Sequence, residues 1–381
     1  MQFKEVIGQH KFIGHLMTMV DEGRVPHAMM FCGPSGNGKM AVALAFASYL
    51  LGERYEGRSL LKNEAQISNA EAMLRVWQHP DLHFTFPVFR PASASAGYRP
   101  VSDDFLTPWR SLLSRGPYFT FEQWQSEAKV ETQQMWIYEG ESDSLLHKLS
   151  LKSGMGGYKV SIIWMPERMN ETCSNKLLKL LEEPPQGTVF LLVSEQPEQL
   201  LETIRSRVQR FDIPRIDTSD MEEALVSRRG LEPDMARSVA HTAEGSWLKA
   251  LEMLDAGNEN RQFFDLYRIL MRRAYMRDVK ELKHWAESIA SFGREKQKRF
   301  FAYMLRMTRE NFMYNFRQQE LNYMTAEEQE FAANFARFIN ERNILEMSEL
   351  LQQAIREVGQ NVNSKMVLFN MALEIIILLR R

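Results

Sequence analysis

Apolar positions change period several times along the first half of this chain. After Phe3, Val6 and Ile7, the residues Phe12, Leu16, Met19 and Val20 recur at helical spacing. Pro26-His27-Ala28 leads into Met30-Phe31-Cys32, a short apolar strand, and Val42, Leu44, Ala45, Ala47 and Leu50 restore a helical pattern from near Lys39. Residues 51–78 are polar and helix-like, and Phe84, Phe86, Val88 and Phe89 alternate as a strand does. Ser144 to Leu151 reads as a helix, and Gly154 to Gly157 turns the chain into the apolar strand Tyr158 to Trp164. The next helix starts on an Asn cap at Asn170 and stops at Glu183, before Pro184-Pro185. It gathers Cys173, Leu177, Leu178, Leu180 and Leu181 on one face. Thr188 to Ser194 is a buried strand, a helix passes through Leu200, Leu201 and Ile204, and Phe211 to Ile213 is a short strand. Apolar strands alternating with helices predict an α/β domain with a parallel sheet covered on both faces, where ligands sit at the carboxyl ends of the strands.

The pattern changes at Pro214. Residues 217–256 hold three short helical patterns, separated near Gly230 to Pro233 and at Gly245-Ser246. Residues 260–381 lack strand alternation and predict an all-α region, with Phe300, Phe301, Met304, Leu305 and Met307 on one face and Leu345, Met347, Leu350, Leu351 and Ile355 on another. The division is therefore 1–216, 217–258 and 259–381. Within the first part, residues 84–135 form an insertion. Its Pro91 to Gly97 stretch of small residues reads as flexible, and Phe105, Trp109, Leu112, Leu113, Tyr118, Phe119, Phe121 and Trp124 make the rest aromatic-rich. Interleaved aromatics can stack on bases, but few basic residues accompany these, so a small satellite core or a protein contact is the expectation.

Composition narrows the function classes. With 381 residues the chain is long enough for two or three cores, and a net charge of −2 supplies no global field for nucleic acid. Two cysteines, Cys32 and Cys173, fit a reducing compartment with no disulfide framework and no Cys-based zinc site. The N-terminal residues lack the apolar core of a signal peptide, and Met366 to Leu379, interrupted by Asn370 and Glu374, reads as a buried helix rather than a membrane span. A cytoplasmic protein without membrane partners is expected. His27 is read as a packing or hydrogen-bonding residue. His79, Asp81 and His83 alternate as metal ligands sometimes do, yet no second His or Cys cluster accompanies them, so no metal is assigned.

The chemistry concentrates in Gly33-Pro34-Ser35-Gly36-Asn37-Gly38-Lys39. Gly33 and Gly38 stand at P-loop spacing with Lys39 beside the second glycine. In such a loop backbone N–H groups curl around phosphate oxygens, the helix N-terminus adds positive potential, and the lysine reaches the terminal phosphates. The next position calls for a Ser or Thr hydroxyl to hold magnesium; here it is Met40, whose thioether is a poor ligand for a hard cation.

Taken in order, Val6 to Gln9, Pro26 to Ala28, Gly33 to Lys39, His79 to Asp81, Gly157 to Val160, Arg168 to Asn170, Asn175 to Pro185 and Thr203 to Phe211 resemble the clamp-loader subunits of the AAA+ superfamily, and among them the delta-prime type of bacterial DNA polymerase III. The resemblance covers most of residues 1–216 and implies a nucleotide-binding domain, a three-helix lid and a helical collar that joins a five-subunit ring. It also implies partners: a delta subunit, tau- or gamma-like ATPases, and through them the sliding clamp and primed DNA. Active relatives end the strand before Arg168 in Asp-Glu, which organise magnesium and the attacking water; here Trp164 and Met165 stand there. Glu167 corresponds to a later acidic position. Ser194 falls where a polar sensor of the terminal phosphate would stand, and the lid's Gly-Ser-x-Arg pattern ends in Leu248 instead of Arg. Met40, Trp164, Met165 and Leu248 each remove a polar or charged group, which argues against ATP hydrolysis by this chain. Its P-loop is expected to be empty, or to hold ATP or ADP weakly through Lys39 and the backbone. The zinc module of the family is missing, since no cysteine lies between Cys32 and Cys173.

One active-looking element remains. Ser206-Arg207-Val208 stands where the family has its Ser-Arg-Cys element, whose arginine projects into a neighbouring subunit's ATP site, where a guanidinium stabilises charge on the transferring phosphoryl group. The plainer reading is that Arg205, Arg207 and Arg210 pair with local carboxylates. The expectation is a non-hydrolysing subunit that donates Arg207 in trans and belongs to the polymerase holoenzyme by association only. The alternatives are an active ATPase with displaced magnesium ligands and a DNA-binding protein proper, the latter disfavoured by the lack of a basic stripe.

Overall fold

A computed structural model describes all residues except 92, 93, 96, 131, 132, 156, 317–323, 361 and 381. The predicted flexibility of Pro91 to Gly97 and the turn at Gly156 fall partly outside the described residues. The chain divides into two compact units, Met1–Met253 and Leu254–Arg381.

The first unit holds α1 (His10–Asp21), β1 (Ala28–Cys32), α2 (Lys39–Leu50), α3 (Glu64–Arg75), β2 (Leu82–Thr85), α4 (Leu106–Arg115), α5 (Phe121–Glu127), α6 (Glu139–Ser150), β3 (Lys159–Trp164), α7 (Glu171–Glu182), β4 (Thr188–Ser194), α8 (Glu202–Arg205), β5 (Gln209–Asp212), α9 (Thr218–Arg229) and α10 (Pro233–Ala243). The five strands pair in parallel in the order β2-β3-β4-β1-β5. Successive side chains of a strand face opposite sides, and both sides here are apolar. Met29, Phe31, Leu191 and Val193 enter one core with α2; Met30, Cys32, Phe190 and Leu192 enter the other with Leu145 of α6 and Leu177 and Leu181 of α7. The Asn170 side chain caps α7 by accepting from Cys173 N at 2.8 Å, and His27 Nε2 lies 3.1 Å from Leu181 O, a hydrogen-bonding role as expected.

Several expectations need correction. The alternating run at Phe84 to Phe89 is a strand only over Leu82–Thr85, and the helix near Leu200 is a single turn. The third helical pattern after Pro214 is not short: α11 runs Trp247–Met276. The aromatics of the insertion are not a satellite core. Trp109, Leu112, Leu113, Phe119 and Trp124 join the main core with Trp164, because β3 ends in a tryptophan that gives them an apolar wall.

The second unit is all helical: the rest of α11, then α12 (Val279–Ala290), α13 (Arg294–Tyr314), α14 (Ala326–Phe335), α15 (Ile344–Gly359) and α16 (Ser364–Leu378). Phe300, Phe301, Met304 and Met307 are buried together, and Met347 and Leu351 face them. Leu345, expected on that face, is 72 % exposed, and Met366, expected in a buried helix, is 70 % exposed, since each falls on the outward side of its helix. Among the described residues no helix is long and apolar enough to cross a membrane.

Candidate functional site

β1 delivers the chain into the P-loop at the carboxyl edge of the sheet. Gly36 and Gly38 take φ of +81° and +93°, a left-handed region that side chains with a Cβ rarely adopt. The loop is folded back on its own domain. Lys39 Nζ donates to Pro34 O and to Glu195 Oε1, both at 2.9 Å, and its side chain is only 6 % exposed. Asn37 is buried; its Nδ2 donates to Ile213 O at 2.7 Å and its Oδ1 accepts from Lys39 N at 3.1 Å. Gln9 Nε2 donates to Asn37 O at 3.0 Å, Ser246 Oγ to Ser35 O at 3.0 Å, and Trp247 N to Gly36 O at 3.0 Å. A Cβ at Gly36 would lie 2.2 Å from Ser246 Oγ and 3.1 Å from Leu248 N, so the start of α11 is seated directly on the loop.

The four positions that depart from the active pattern are all buried. Met40, Trp164 and Met165 enter the main core, and Leu248 is buried beside Gly36. The Trp164 ring lies 5.3 Å from that of Trp109 and 5.2 Å from that of Phe119, a centroid range in which tilted and edge contacts are favourable. Met165 adopts φ +55°, unusual for a residue with a side chain, and its N–H donates to Val193 O at 2.9 Å.

Ser194 stands beside Cys32 in the β1–β4 register, at the P-loop end of β4. Its hydroxyl donates to Glu167 Oε2 at 2.8 Å, and Glu167 Oε1 accepts from Glu195 N at 3.0 Å and Gln196 N at 3.3 Å. Glu167 therefore organises the end of β4, and the next residue there, Glu195, takes the lysine. Sequence reasoning missed Glu195. The available signal was its place one residue beyond a strand that neighbours β1. As placed, these residues do not fit a magnesium nucleotide. Two of the three lysine donors are engaged, and Met40 and Trp164 offer no magnesium ligand where the pattern needs one.

Arg207 lies elsewhere. β5 pairs with β1 from Met29↔Gln209, so Arg207, two residues earlier, sits at the amino end of the sheet. The run of β1 from Met29 to the P-loop at Gly33 alone spans about 13 Å, at roughly 3.3 Å per residue. Its Nε donates to Glu182 Oε1 at 2.7 Å and its Nη1 to Thr203 O at 2.8 Å, with the side chain 36 % exposed. Arg205 pairs with Glu198, and Arg210 with Glu198 and Asp212. The local ion pairs of the plainer reading are thus present for all three arginines.

The His79-Asp81-His83 stretch does structural work. The Asp81 carboxylate accepts from Gly154 N at 2.9 Å, Ser153 Oγ at 3.0 Å and Met155 N at 3.2 Å, holding the turn before β3. His79 Nδ1 accepts from Asp81 N at 3.1 Å. Burial pushes the His83 imidazole down to about 4.

A five-stranded parallel sheet in this order, with a P-loop between β1 and α2, defines the first unit as a P-loop α/β domain of the AAA+ kind. The sequence profile of the family described as DNA polymerase III, delta subunit, matches residues 8–217, more than half of the chain. The chain belongs to that family. It is 26 % identical to DNA polymerase III subunit delta' of Bacillus subtilis over 264 residues, covering 68 % of this chain and 64 % of the relative. It is 25 % identical to subunit tau of the same organism over 67 % of this chain and 37 % of the relative. To subunit delta' of Yersinia pestis it is 28 % identical, over 54 % and 44 % respectively. The matches thus span less than two thirds of the length of each of these relatives. A solved gamma subunit-related protein of DNA polymerase III from Thermotoga maritima aligns over 96 % of this chain and 99 % of its own, with 15 % identity and a TM-score of 0.37.

Proposed function

We propose that this chain is a delta-prime-like subunit of the DNA polymerase III clamp loader. It helps to load the sliding clamp onto primed DNA, hydrolyses no ATP itself, and donates Arg207 to the ATP site of a neighbouring subunit. A delta subunit and tau- or gamma-like ATPases are its direct partners. Family membership supports the assignment to the replication machinery. The observation that carries the finer reading is the separation of the two cations: Lys39 is tied to Glu195 at the carboxyl edge of the sheet, while Arg207 stands at the opposite edge, beyond reach of its own P-loop. A guanidinium there serves a phosphoryl group only if another chain supplies it.

One observation favours the competing reading of an active ATPase. Glu195, at the end of β4, holds a carboxylate on Lys39, and Glu167, from the turn after β3, accepts from the Glu195 backbone N–H. ATP turnover separates the two. The isolated chain is expected to be inert, and an assembly carrying Arg207→Ala is expected to form normally and hydrolyse ATP more slowly. Turnover by the isolated chain, abolished by Lys39→Ala or by Glu195→Gln, would establish the competing reading instead.

A further inference from the structure

We propose that the segment carrying α4 and α5 is a resident occupant of the nucleotide cradle, and that Tyr118, between the two helices, is the residue that keeps the cradle shut. The proposal rests on the reading of this chain as non-hydrolysing only in that both leave Lys39 without a phosphate partner. It assigns a role to the insertion, which nothing in the P-loop pattern itself accounts for.

Three backbone segments converge on the Tyr118 side chain. Its hydroxyl accepts from Ile7 N at 2.9 Å, which ties it to the loop before α1. The same oxygen lies 3.3 Å from the point where a Cβ of Gly38 would stand, so the phenol touches the P-loop where its helix begins. Its ring centroid is 6.2 Å from that of Trp247, whose backbone N–H donates to Gly36 O. One side chain therefore joins the N-terminal loop, the P-loop and the start of α11. Burial pushes the phenol up to about 12, so it stays an uncharged hydroxyl at neutral pH.

The segment is held in place by contacts that belong to a core. Phe86 stacks on Trp109 at 4.1 Å, and Trp124 Nε1 donates to Pro87 O at 2.8 Å. The buried Glu141 carboxylate accepts from Ser102 N and Thr85 Oγ1, at 2.6 and 3.0 Å, fastening the entry of the segment to β2. Trp109 and Phe119 close against Trp164, the residue at the magnesium-organising position. The substitution at 164 and the aromatic segment are thus one device, since an aspartate there would face a wall of rings. A nucleoside polyphosphate entering this cradle has to displace Tyr118 as well as Glu195.

The test is a titration of the full chain with a fluorescent ATP analogue, with and without magnesium. The native chain is expected to show no saturable binding at millimolar concentrations. Tyr118→Ala is expected to saturate at a concentration at least tenfold lower, a gain that Lys39→Ala in the same background removes. Saturable binding by the native chain, or a folded Tyr118→Ala with no gain, overturns the proposal. The second of these results leaves the non-hydrolysing reading intact, whereas ATP turnover by the isolated native chain defeats that reading. Tyr118→Phe keeps the ring and covers the case of an unfolded alanine variant. Amide exchange at Ile7 is expected to accelerate at least tenfold in Tyr118→Phe; unchanged exchange overturns the clasp.

Discussion

At the carboxyl edge of the sheet a lysine is sealed under the domain, while at the amino edge an arginine stands at the surface. Both are paired to a glutamate at hydrogen-bond distance, Lys39 to Glu195 and Arg207 to Glu182. The pairs differ in solvent. Lys39 is 6 % exposed and Glu195 33 % exposed, and removing Glu195 would leave the buried ammonium with the Pro34 carbonyl as its remaining partner among the described residues. Arg207 and Glu182 are 36 % and 47 % exposed, where such a pair contributes about 1 kcal/mol or less. A phosphate at the P-loop would compete with the first pair, and under the proposed function Arg207 would leave the second at small cost. The contrast teaches that availability for chemistry follows burial of the cation rather than its identity.

The sharpest way to break this comparison is to remove the surface cation. In a reconstituted assembly, Arg207→Ala is expected to slow ATP turnover at the adjoining site by about a thousandfold, the range of a lost arginine finger. Arg207→Lys is expected to recover little of it, because an ammonium lacks the planar fork. Equal turnover in native and variant assemblies would reduce Arg207 to a surface pair. A second break targets the seal. Trp109 is fully buried among Phe86, Trp124 and Trp164, so Trp109→Ala is expected to cost about 3–5 kcal/mol in urea unfolding of the first unit. A loss below about 1 kcal/mol would mean that the aromatic wall carries little of the fold.

Acid sharpens the comparison further. The His83 imidazole is held at about 4 when folded, below the ordinary 6.5. Between these values the unfolded chain binds more protons, so stability is complete above pH 6.5 and falls toward pH 4. The slope approaches about 1.4 kcal/mol per pH unit, and His83→Gln is expected to flatten this part of the profile. The smallest effect expected is that of Glu182→Ala. It frees Arg207 from its partner, shifts stability by less than about 1 kcal/mol, and leaves turnover of the assembly intact or raised. A strong loss of turnover would show that Glu182 positions the guanidinium.

Much of the first unit was legible in the sequence because its signals are local. Glycine spacing placed the P-loop, predominantly apolar runs gave β3 and β4 their buried character on both faces, and Asn170 marked the start of α7 through its own side chain. What escaped notice depends on contacts between distant residues. Glu195 is ordinary in sequence and becomes the partner of Lys39 only because β4 lies beside β1. The aromatics of α4 and α5 read as a separate cluster because their wall, Trp164, comes more than thirty residues after them. The continuation of α11 to Met276 was hidden because residues 255–260 are polar and break the apolar periodicity without breaking the helix. Leu345 and Met366 show the limit of periodicity itself, since an apolar residue near the start of a helix can lie outside the stripe that packs.

The Lys39–Glu195 contact also bears on metabolism. A protein whose fold is completed by a bound nucleotide gains stability in proportion to the logarithm of the nucleotide concentration, and so registers the energy state of the cell. Here the counter-charge is built into the chain, at 2.9 Å from the lysine. On the proposal that no nucleotide enters the cradle, the folding free energy carries no term in ATP or ADP, and the melting temperature of the isolated chain is expected to stay the same when either nucleotide is added.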